Sequence, residues 1–158
     1  MHKIDYKTYT KPSDFVRFLH GETKLVIVSG GGMVKKHGMK TAHGYVPMGD
    51  CTETPECPQC LKGNEPKQKW IWIVFNQKDR QVRVLDVGPM IGDAICKQAQ
   101  EKGIDPNGYE VIINRSGTGR TTQYITNLSA KITLTSADTA FIEPAKRFLI
   151  KKYFEKQT

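Results

Sequence analysis

No apolar run in the chain approaches the ~20 residues that a bilayer-spanning helix needs. The opening MHKIDYKTYT also lacks the apolar core of a secretory signal. A soluble, cytoplasmic protein is therefore expected, with no membrane partner. Acidic residues are scarce as well: 24 Lys and Arg face 16 Asp and Glu, a net charge of +8. The deficit is local, because residues 1–50 and 109–158 each carry eight basic and four acidic side chains, whereas residues 51–108 balance at eight and eight. Such an excess suits a polyanionic partner, and nucleic acid is the first candidate.

Catalytic sets are missing too. No Ser/His/Asp arrangement or carboxylate pair stands out, and the stretch SGTGRTT lacks the Gly-Lys-Ser/Thr ending of a phosphate-binding loop and does not lead into a helix. It reads as a hairpin turn, and the protein as a non-enzyme. No internal repeat is present, and 158 residues suffice for one domain with its own core.

Cysteine is rare, and its placement is informative. Of four cysteines, three lie within residues 51–60, in the stretch HGYVPMGDCTETPECPQC that spans residues 43–60. Cys57-Pro-Gln-Cys60 lets two thiolates of one tight turn grip one ion, and Cys51 adds a third sulfur. In a reducing compartment such a cluster favours zinc, and a structural site needs a fourth ligand. His43, His37 and Cys96 are the candidates. His43 is the choice, being nearer to Cys51, while Cys96 reads as a small buried residue of a helix.

The remaining pattern is mainly β. Residues 23–29 (TKLVIVS) read as a strand ending at the triple glycine 30–32. Residues 33–68 show no sustained periodicity, and a loop of that length needs something to order it. A zinc-binding inserted subdomain over 33–68 meets that need, with the metal standing in for a hydrophobic core. KWIWIVF (69–75) and QVRVLDV (81–87) then form a hairpin, Pro89 opens a helix that Gly103 stops, and YEVIINR (109–115) pairs with RTTQYITNL (120–128). Five strands with a helix between the third and fourth is the order of an OB-fold barrel. Residues 138–156 read as a C-terminal amphipathic helix, broken near Pro144, within a single domain over 1–158.

The period of two along KWIWIVF puts Trp70 and Trp72 on the face opposite Ile71, Ile73 and Phe75. If the isoleucines fill the barrel, the tryptophans can stack on unpaired bases, and the alternative is that they pack under the inserted flap or the C-terminal helix. Lys69, Arg83, Arg115 and Arg120, on or beside the same strands, are candidate phosphate contacts, with Tyr45 and Tyr124 as further aromatics.

Taken together, the segment at 43–60, the hairpin KWIWIVFNQKDRQVRVLDVG and the stretch DPNGYEVIINRSGTGRTTQYIT resemble the single-stranded-DNA-binding proteins of tailed bacteriophages, over residues 15–128. That resemblance implies an OB-fold with a zinc-binding insertion, His43, Cys51, Cys57 and Cys60 as the ligands of one structural zinc, and a DNA track along the second and fifth strands. It also implies a role in coating single-stranded DNA during phage replication or recombination, with phage replication proteins as partners in the host cytoplasm. The family's acidic C-terminal tail has no counterpart, since this sequence ends KKYFEKQT. A second reading is a zinc-ribbon adaptor that docks on polymerase or another replication protein through its C-terminal helix.

Overall fold

A computed structural model describes residues 1, 3, 6 and 13–155. In chain order it contains β1 (Gly21–Ile27), β2 (Gly32–Thr41), β3 (Gly44–Asp50), α1 (Pro58–Leu61), β4 (Lys67–Asn76), β5 (Gln81–Val87), α2 (Pro89–Lys102), β6 (Tyr109–Ser116), β7 (Gln123–Lys131) and α3 (Ser136–Tyr153). The strands form one seven-stranded antiparallel sheet in the order β3-β2-β4-β1-β6-β7, with β5 paired to β4. Both expected hairpins are present, as is α2. Pro89 sits in its first turn and Gly103 caps it in the left-handed region at φ 65°.

The five-stranded closed barrel is not what the strand pairing gives. Among the described residues no pairing joins β5 to β7. Residues 13–18 fill that seam instead. The Val84 amide donates to the Asp14 carbonyl at 2.7 Å and the Val16 amide to the Val84 carbonyl at 2.9 Å. On the other side the Phe18 ring meets Tyr124 edge-on at 5.4 Å, and Arg115 Nη1 donates to the Phe18 carbonyl at 2.7 Å. This stretch has few signals of a strand in its sequence because its pairing is one-sided and short.

The inserted segment is also more regular than expected. Residues 32–50 form the hairpin of β2 and β3, and β2 extends the main sheet by pairing with β4, Val34 opposite Lys69. Every residue of β3 is exposed, so neither of its faces supplies the apolar alternation by which a strand is read from sequence.

Two cores explain the rest of the pattern. Leu25, Ile27, Trp72, Leu85, Val87, Val111 and Ile113 pack under Ile91 and Ile95 of α2, while Val26, Val28, Ile71, Ile73, Phe75 and Val84 pack under Ile142 and Leu149 of α3. The run from Ile71 to Phe75 is thus buried on both faces, and Trp72, only 3% exposed, lies in the core and away from any binding surface. The side chains of β4 do alternate, but with a helix covering each side neither face is free. Glycines make room for both indoles: a Cβ on Gly31 would lie 2.3 Å from Trp72 Nε1, and one on Gly92 would lie 2.6 Å from the Trp70 ring.

Helix α3 begins at a capping box, in which the Asp138 amide donates to Thr135 Oγ1 at 3.0 Å and the Thr135 amide to Asp138 Oδ2 at 3.3 Å. It runs through Pro144 without breaking. Pro144 and Ala140 are both exposed, so the Ala140 carbonyl that loses its i+4 donor lies on the solvent side, while Ile142 and Leu149 anchor the helix on either side of the proline. Residue 156, the expected end of this helix, lies outside the described residues.

Candidate metal centre

His37 lies on β2 beside a bulge between Lys36 and Gly38. Cys51 follows β3 directly, and its amide donates to the Lys35 carbonyl at 2.8 Å, extending the hairpin ladder by one bond. Cys57 caps α1 and Cys60 lies in its single turn, which Pro58 opens. A hairpin end and a helical turn therefore bring the four side chains together. Their ligand atoms all lie within 4.8 Å of one another.

The spacing has the dimensions of a coordination shell. Cys51 Sγ is 3.8 Å from Cys57 Sγ and 3.6 Å from Cys60 Sγ, while His37 Nε2 is 3.3 Å from Cys57 Sγ and 3.5 Å from Cys60 Sγ. A tetrahedral ion bonded to sulfur at about 2.3 Å and to imidazole at about 2.0 to 2.1 Å gives edges of about 3.8 Å between sulfurs and about 3.5 Å from sulfur to nitrogen. The residues present therefore fit a four-coordinate metal ion.

Electrostatics point the same way. The Cys57 thiol is lowered to about 5, chiefly by the backbone N–H of Cys60 and then that of Thr52, whereas the Cys60 thiol is pushed up to about 11, foremost by desolvation and then by hydrogen bonds and charge from Cys51 and Cys57. One thiolate is stabilised and its neighbour is penalised for joining it. A cation at the centre removes that conflict, because it lets all three sulfurs ionise. Cys51, Cys57 and His37 are buried, His37 to 1% exposure, so such an ion is shielded on most sides. His37 Nδ1 is buried and has no hydrogen-bond partner, unlike the outer nitrogen of most ligand histidines.

The structure brings His37, and not His43, to the three cysteines. His43 is exposed in the turn between β2 and β3, where its amide donates to Thr41 Oγ1 at 3.2 Å. From His37 to the end of β2 at Thr41 is already about 13 Å, at about 3.3 Å per residue. Nearness in sequence misled because a hairpin inverts it: Lys36 is opposite Asp50, so His37 lies beside Cys51 while the turn points away. Cys96 stands apart on α2 and is exposed, contrary to the expectation of a buried residue. Partial desolvation of its sulfur, and then the charge of Asp93, raise its thiol.

The eight candidate nucleic-acid contacts divide sharply. Tyr45 and Lys69 share a cleft of about 500 Å³ next to the metal centre, with Lys36, His37 and Asp86 also on its walls. Tyr45 is 50% exposed and its ring lies across Gly38, where a Cβ would come within 1.7 Å of the hydroxyl. Lys67 Nζ is 5.9 Å from the ring centroid. The others are dispersed or occupied. Trp72 is core, Trp70 is half-buried against α2, and Arg115 and Tyr124 hold the seam with Phe18. Arg83 bonds Asp79 at 2.8 Å, and Arg120 is exposed in the turn after β6. Lys36 and Asp86 on the cleft walls, and Lys67 over the Tyr45 ring, are not among the candidates the sequence singles out. The signal for Lys36 was its place beside a histidine that the hairpin register aims at the cysteines.

No known protein family, curated protein or solved structure matches the chain. Fold and site define a mainly β protein carrying a Cys₃His cluster that could hold a metal ion. Among the described residues no helix is long and apolar enough to cross a membrane.

Proposed function

We propose that this protein coats single-stranded DNA, with one structural zinc fixing the β2–β3 hairpin against an OB-like sheet. The observation that carries the reading is the cleft beside the metal centre. An exposed aromatic, Tyr45, shares its walls with Lys36 and Lys69 and has Lys67 over its ring, with Asp50 and Asp86 also on the walls, in a chain of net charge +8. Stacking platforms interleaved with cations suit a flexible strand whose bases are unpaired and whose phosphates need neutralising. Three thiolates and an imidazole are the donor set zinc favours when it serves structure. With Trp70 and Trp72 occupied, the track runs along β2, β3 and the start of β4.

The adaptor reading has less support. Helix α3 commits Ile142 and Leu149 to the sheet, and only Phe141 and Phe148 remain as large outward apolar groups. The test is a gel shift with single strand, duplex and RNA of the same sequence in parallel. A coating protein shifts the single strand at concentrations that leave duplex free. Equal, weak binding to all three refutes the proposal and favours the adaptor.

A further inference from the structure

Resting on the zinc reading of the centre, we propose that it is also a site of reversible oxidation, at which a hydroperoxide attacks the Cys60 sulfur and Cys51 closes a disulfide on it, releasing the metal. Of the four ligand residues only Cys60 is exposed. Cys51, Cys57 and His37 are 4%, 2% and 1% exposed, so an oxidant arriving from water meets Cys60 first. A thiolate held ready for a metal and open to solvent combines the two properties that make a cysteine prone to oxidation.

Distance and mobility set the resolving partner. Cys51 Sγ lies 3.6 Å from Cys60 Sγ, against 3.8 Å from Cys57 Sγ. A disulfide needs about 2.0 Å, so the two sulfurs must close by about 1.6 Å. Cys60 can supply that movement, because α1 is one turn with no buried residue and the neighbouring Leu61 is 73% exposed. Cys51 is held more firmly. Its amide is tied to the Lys35 carbonyl at 2.8 Å, at the end of the hairpin.

The chemistry balances in two steps. The Cys60 thiolate attacks one peroxide oxygen, the O–O bond breaks, hydroxide leaves, and Cys60 becomes a sulfenic acid. The Cys51 thiolate then attacks that sulfur, the S–O bond breaks, a second hydroxide leaves, and the S–S bond forms. Two electrons have passed from the sulfur pair to the peroxide. His37 and Cys57 are left, too few to hold a four-coordinate ion. Cys96, the other exposed cysteine, stands apart on α2, where its raised thiol stays protonated and reacts slowly.

The experiment treats protein loaded with zinc with a small excess of hydrogen peroxide, while a chromogenic chelator follows the metal and peptide mapping by mass spectrometry locates the products. Zinc should be lost completely, in step with a Cys51–Cys60 disulfide. Dimedone present during a brief exposure should mark Cys60 ahead of Cys51 and Cys57, and Cys96→Ser should behave as wild type. A dithiol reductant with fresh zinc should restore the centre. Zinc retained at peroxide levels that oxidise free cysteine, first labelling of a buried cysteine, or a Cys57–Cys60 disulfide in place of Cys51–Cys60 would overturn the proposal while leaving the zinc reading intact. Protein that takes up no zinc before any oxidant is added would overturn both.

Discussion

Replacing Trp72 with alanine would remove a side chain enclosed between the sheet and α2, packed among Leu25, Ile27, Leu85 and Ile95, with its Nε1 edge over Gly31. Nothing in this surrounding can collapse far, because β4 is pinned between β1, β2 and β5. Truncating a buried tryptophan costs about 3 to 5 kcal/mol. For a domain of this size each kcal/mol shifts Tm by about 2 to 4 °C, so the midpoint should fall by roughly 6 to 20 °C. Thermal melts followed by circular dichroism measure the fall. Oligo-dT titration at a temperature where the variant is still folded should find its affinity within about twofold of wild type, since Trp72 offers no surface to a base. Should the alanine variant not fold, Trp72→Phe retains part of the packing and gives a smaller drop of the same sign. An unchanged Tm together with a tenfold loss of affinity would refute the assignment of Trp72 to the core.

Two further outcomes are expected. His37→Ala should reduce the zinc content measured by elemental analysis far below that of wild type, whereas His43→Ala should leave it unchanged; the reverse order would restore His43 as the ligand. The Asp138 carboxyl is held below the usual carboxylate range, first by the hydrogen bond from Arg80 and then by the Thr135 amide at the start of α3. Because the folded value is depressed, its contribution is fully present above the unfolded value of about 3.9 and is lost as pH falls through the folded one. Urea midpoints of wild type and Asp138→Asn should therefore differ at neutral pH and draw together as the pH falls below the unfolded value, and a gap as wide in acid as at neutral pH would contradict this.

How much was legible depends on what each signal encodes. The hairpins of β4–β5 and β6–β7, and α2 with its Pro89 start and Gly103 stop, were plain because strand period and turn chemistry are local. The three cysteines were equally plain from spacing. The fourth ligand was not, since His37 reaches the cluster only through the register of β2 on β3; β3 is exposed throughout, and β2 alternates in burial while placing Lys36 at a half-buried position and Met33 at an exposed one. The role of Trp72 failed for the opposite reason: alternation shows that two faces differ, and says nothing of whether a helix covers each. The segment at 13–18 that occupies the seam was unreadable, because distant partners give it form: Val84, Arg115 and Tyr124 of the sheet, and Lys152 and Tyr153 of α3.

The proposed placement of DNA rests most directly on Tyr45. Titrating labelled oligo-dT against wild type and Tyr45→Ala at one fixed salt concentration measures whether the cleft beside the metal centre is where the strand binds. The exposed ring packs into no core, so the variant should keep its Tm and its zinc. Its Kd should rise at least tenfold, about 1.4 kcal/mol, within the range of one lost base stack. An unchanged Kd in a folded, zinc-loaded Tyr45→Ala protein would contradict the placement of DNA in this cleft.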